Sequence, residues 1–77
     1  MNDFEWVLEI LPCVHVGLRF TIPTNESVRG YVVEVIYVGT TFCTVTWRDK
    51  RNQQHRIDVS VVNANEFIKN GMWEFCN

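Results

Sequence analysis

Seventy-seven residues, 47% of them apolar and with a net charge of −2, describe one small acidic domain rather than a multidomain enzyme or a strongly basic nucleic-acid binder. Three widely separated cysteines, Cys13, Cys43 and Cys76, contain no CxxC pair, which argues against a zinc ribbon or a thioredoxin-type site and implies no metal or cofactor. Glu5 and Glu9 interrupt the only apolar stretch near the start, so neither a signal peptide nor a membrane span is expected, and free thiols in a reducing cytoplasm are.

Residues 3–11 fit two patterns. As a strand, Phe4, Trp6, Leu8 and Ile10 share a face; as a helix, Phe4, Val7, Leu8 and Leu11 form an apolar stripe with Glu5 and Glu9 opposite. The helix is preferred, because Asn2 or Asp3 can cap it, early acids suit its N-terminal end, and Pro12 stops it. Cys13–Gly17 reads as a connector. Leu18, Phe20 and Ile22 then alternate inward along a first strand that ends at Pro23, and Thr24–Ser27 form a polar loop.

The centre of the chain is a β-meander. Residues 31–38 are dense in β-branched and aromatic types, with Tyr31, Val33, Val35 and Tyr37 on one face and Val32, Glu34, Ile36 and Val38 on the other. Two apolar faces suit a long, bent strand shared by two packed sheets. A turn at Gly39-Thr40 leads to a strand over 41–48, with Cys43, Val45 and Trp47 inward and Thr44, Thr46 and Arg48 outward. A polar loop over 49–54 precedes a strand over 55–61, in which Ile57, Val59 and Val61 face inward. Asn63 and Glu66 have capping-box spacing for a helical turn over 64–70 that stops at Gly71 and lets Phe67 and Ile68 plug one end of the fold. Residues 72–76 read as a last strand with Trp73 and Phe75 on one face.

One helix, about five strands and a helical turn before the last strand predict a mainly β fold, a small SH3-like barrel. The segments Val16-Gly17-Leu18-Arg19-Phe20, Val28-Arg29-Gly30-Tyr31, Val45-Thr46-Trp47 and Phe67-Ile68-Lys69-Asn70-Gly71-Met72-Trp73 resemble those of small phage-encoded SH3-like (Tudor- or KOW-like) proteins. These are turn and core residues, so the resemblance implies fold and a viral origin and transfers no functional residue.

Catalytic constellations are weak. Cys13 and His15 would point the same way if extended, as a nucleophile pair or half a metal site requires, but no orienting acid is spaced to help. His55 and Asp58 lie three apart on a strand and face opposite ways. A carboxylate at Glu34 among Val32, Ile36 and Val38 would titrate high if buried, and would be ordinary where the strand meets solvent. No enzyme is expected.

Binding features are stronger. Arg48, Lys50, Arg51 and Arg56 against Asp49 give residues 48–56 a charge of +3 and leave −5 for the remainder. Ten aromatic residues exceed what a core of this size needs and leave apolar surface for a partner. Tyr31, Tyr37, Phe42 and Trp73 are candidate walls of an aromatic cage for a methylated cation, although Tyr31 and Tyr37 alternate with Val33 and Val35 as core residues would.

The reading that follows is a non-catalytic protein-binding module whose contacts come from Arg48, Lys50, Arg51, His55 and Arg56 together with Phe4 and Trp6. The phage resemblance implies a host protein as partner, an enzyme or defence complex inhibited by surface occlusion, and a homodimer through the N-terminal helix is compatible. Nucleic-acid binding through the basic loop is the alternative. Sequestration of an anionic small molecule between subunits is a third.

Overall fold

A computed structural model describes residues 13–76. Five strands, β1 (Arg19–Thr21), β2 (Val33–Val38), β3 (Phe42–Arg48), β4 (Gln54–Ser60) and β5 (Glu74–Phe75), form one antiparallel sheet, with a single helix, α1 (Val61–Lys69), between β4 and β5. The strand order is β4-β3-β2-β1-β5. The mainly β class is therefore as the sequence predicts, and the helical turn expected over 64–70 is a helix of nine residues. Among the described residues the ladder does not close: β4 and β5 are its two edges. The expected helix over 3–11 lies outside the described residues, as do Phe4 and Trp6.

One face of the sheet carries the core. Phe20, Val33, Val35, Cys43 and Val45 are buried there, joined by Val14, Leu18, Ala64, Ile68 and Trp73. Trp73 stacks on Phe20 with ring centroids 4.0 Å apart and 9° between planes, and Phe67 packs against it tilted by 39° at 5.7 Å. This stack anchors a strand of only two residues, β5, against β1. The chain enters the core at Val14, whose amide donates to Asn65 Oδ1 on α1 at 2.8 Å.

The meander departs from strict alternation at one place. Val35 faces Val45, but Tyr37 faces Thr44 and Val38 faces Cys43, so an extra residue bulges at Ile36. Ahead of the bulge, Val33 and Val35 point inward. Beyond it Val38 does, and Tyr37 turns out to solvent at 49% exposure. Tyr37 is thus not a core partner of Val33 and Val35, as alternation alone predicted. This phase change explains why Val38 is inward and Tyr37 outward, while Val32 and Ile36 remain exposed apolar residues.

The helix also begins differently. The capping box at Asn63 and Glu66 does not form; Ser60, the last residue of β4, is the N-cap and its Oγ accepts from the Asn63 amide at 3.2 Å. Val61 and Val62, β-branched residues that read as strand, are helical because the cap precedes them. At the other end Gly71, at φ +77°, donates to Ile68 O and Met72 donates to Phe67 O. Those two bonds form a Schellman motif and place Met72 beside Phe67. Among the described residues no helix is long and apolar enough to cross a membrane.

Candidate binding surfaces

The inner face of the sheet is longer than the core that covers it. Past Val45, the side chains of Trp47 and Ile57 continue along it; Trp47 still packs against the core, whereas Ile57 is inward as predicted but 50% exposed among the described residues. With Ile22, Val28, Phe67 and Met72 they line a groove of about 710 Å³, floored by Val33, Val45 and Trp73. Its rim on one side is the polar segment Thr24–Ser27. No Lys or Arg is among its lining residues. A groove of this size, apolar and half-open, fits an apolar side chain or short segment of a partner.

The 48–56 hairpin positions one wall of that groove. Asp49 Oδ1 accepts from the amides of Arg51 at 2.8 Å and Gln53 at 3.0 Å, and its Oδ2 pairs with His55 Nε2 at 2.8 Å. His55 in turn stacks on Trp47, with centroids 5.2 Å apart and planes 16° apart. The hydrogen bond from His55, then those from the loop amides, hold the Asp49 carboxyl below its ordinary value. The sequence reading counted Asp49 only as a charge to subtract; it organises the loop. Asp49 and His55, six residues apart, meet because Arg48 faces Gln54 at the hairpin end, a register that side-chain alternation did not reveal.

The predicted contact set is therefore divided among three places. His55 is committed to Trp47 and Asp49 on the groove side. Lys50 and Arg51 stand exposed at the tip. Arg48 and Arg56 lie on the outer face, where Arg19, Glu34, Thr46 and Arg56 form one rung across β1, β2, β3 and β4. Arg19 joins them although nothing in its own short strand marks it as a contact residue. A shallow depression of about 500 Å³ on this face collects Arg19, Glu34, Arg48 and Gln54 with Val32 and Ile36.

The catalytic candidates stay apart. His15 Nδ1 contacts the backbone carbonyl of Cys13 at 2.9 Å, not its thiol. Asp58 accepts from Thr44 Oγ1 at 2.8 Å and does not meet His55. Glu34 is exposed between Arg19 and Thr46, the solvent-facing alternative. Burial pushes the Cys43 thiol up, with Asp58 adding to the effect. Among the described residues no cluster of His, Cys, Asp or Glu could hold a metal ion.

The aromatic cage does not assemble. Trp73 is core, whereas Tyr37 and Phe42 pair at 5.5 Å beside the β2–β3 turn on the other side of the bulge.

No family model, no curated protein and no solved structure matches this chain, so its reading rests on its own groove, hairpin and sheet edges.

Proposed function

We propose that this chain is a non-catalytic protein-binding module that receives an apolar segment of a partner in the groove between Trp47, Ile57 and Met72. The observation that carries the reading is that groove: among the described residues, a concave apolar surface beside a core that covers only part of the inner face. Lys50 and Arg51, exposed at the hairpin tip, favour a partner segment with acidic flanks. The strand order, with β5 beside β1 and α1 ahead of β5, supports an SH3-like barrel with an open seam. Occlusion of a host enzyme or defence complex extends the reading along the phage resemblance. So does a cytoplasmic setting.

The test is capture from nuclease-treated bacterial lysate on immobilised protein, compared with a Met72→Glu variant. A discrete protein retained by the parent and lost from the variant is expected. Equal capture by both would end the groove reading.

A second reading is favoured by Arg19 joining Arg48 and Arg56 on the outer face. Nucleic acid held there would bind with an affinity that falls steeply with salt. It would also be lost in an Arg19→Glu, Arg48→Glu variant and unaffected by Met72→Glu.

A further inference from the structure

β4 is a seven-residue strand on an edge of the sheet. Val61 donates to Thr41 O and Gly39 donates to Phe42 O, which fixes the alternation of hydrogen bonds through the meander. Cys43 with Val59, Val45 with Ile57 and Trp47 with His55 are the hydrogen-bonded pairs. The N–H and C=O of Arg56 and Asp58 consequently point off the free edge, together with those of Gln54. Among the described residues no strand takes up this row of groups, and such a row is a template for another strand.

The side chains on that edge specify which strand. The middle residue of Gln54–Ser60 is Ile57, itself half exposed on the groove side. A second copy laid antiparallel about a two-fold axis at Ile57 overlaps the whole strand. Arg56 of each copy then lies opposite Asp58 of the other, in pairs that exchange backbone hydrogen bonds, while Ile57 meets its own counterpart on the inner face. Asp58 uses Oδ1 for Thr44, so Oδ2 remains for the arginine. Shifting the axis to Arg56 or to Asp58 sets like charges against each other and shortens the overlap. One register is favoured, and it is self-complementary.

The geometry points to a symmetric homodimer formed by antiparallel pairing of β4 with β4 of a second copy, in the register Arg56 to Asp58. This two-fold contact consumes both edges it uses, so it closes at two copies rather than growing into a fibre. It joins two sheets into one and sets the two grooves side by side. The inference is independent of what the groove binds.

Sedimentation velocity, with far-ultraviolet circular dichroism as the check on folding, tests it through charge exchange. The parent should sediment at twice the monomer mass. Arg56→Asp alone and Asp58→Arg alone should each sediment as monomers, since each sets like charges opposite one another. An equimolar mixture of the two should return to the dimer, because the acidic edge of one matches the basic edge of the other. The double variant Arg56→Asp, Asp58→Arg should dimerise alone, and it serves if either single variant fails to fold. In hydrogen exchange the Arg56 and Asp58 amides should gain protection as protein concentration rises. A monomeric parent would overturn the proposal. Dimeric single variants, or exchange at those amides that ignores concentration, would do the same.

Discussion

The two edges of this sheet are held in opposite ways. β5 has two residues and few ladder bonds, yet it is fixed because Trp73, just before it, stacks flat on Phe20 and lies under Phe67. β4 has seven residues, each paired with β3, yet Ile57 at its centre is half exposed and, among the described residues, no strand pairs with its outer side. One edge is short and anchored by the aromatic stack just before it. The other is long and, among the described residues, hydrogen-bonded on one side only, with Ile57 half exposed on the inner face. An apolar end left exposed is where a partner gains most by covering surface.

Breaking this comparison starts with the aromatic stack. Trp73→Ala removes a buried ring that contacts both Phe20 and Phe67 and should cost about 3–5 kcal/mol, a large part of the stability of a small domain. Urea denaturation followed by circular dichroism measures it, and a loss below about 1 kcal/mol would mean that β5 is held by something other than packing. Ser60→Ala tests the junction between the open edge and the helix that serves the sealed one. Loss of the cap to the Asn63 amide should cost about 1 kcal/mol. Asn63→Ala, which keeps the backbone donor, should cost less.

At the open end the expected effects shrink. Ile57→Thr, at a half-exposed position, should change the stability of the isolated chain by less than about 1 kcal/mol. A loss comparable to that of Trp73→Ala would show that the inner face is covered after all. The smallest effect is electrostatic. Because His55 and the loop amides hold the Asp49 carboxyl below its ordinary value, the hairpin gains stability above that value and loses it as pH falls through the lowered one. A pH titration of Trp47 fluorescence should show this acid transition, and Asp49→Asn should abolish it. Thiol labelling sharpens the contrast from another side: Cys13 is exposed and should react at once, whereas buried Cys43 should react only as β3 unfolds.

Much of this was legible in the sequence, and its gaps have causes. The alternation of Cys43, Val45 and Trp47 located β3, and Leu18 and Phe20 located the buried face of β1, because period-2 patterning reports which face packs on the core; Thr44, on the other face of β3, is buried as well. The stop at Gly71 was legible because a left-handed residue after a helix is nearly a glycine monopoly. The bulge at Ile36 was not, since one extra residue leaves the composition of β2 unchanged and appears only when the partner register is known. The same holds for Arg19, whose companions on the outer face lie on strands distant in sequence. The role of Asp49 was hidden by its neighbours, because a carboxylate in a cationic loop looks like a diluting charge until its acceptors are seen to cradle two amides and an imidazole.

The bulge also bears on how substitutions in this strand are to be interpreted. In an uninterrupted strand, tolerance to charged residues follows one parity from end to end. Here intolerance should fall on Val33 and Val35 and then jump to Val38, with Ile36 and Tyr37 both permissive between them. A saturation scan would record that stutter as two adjacent tolerant columns. Deleting Ile36 would restore a plain ladder with Val35 and Val38 still inward, so this one position should accept a change in chain length that its neighbours would refuse.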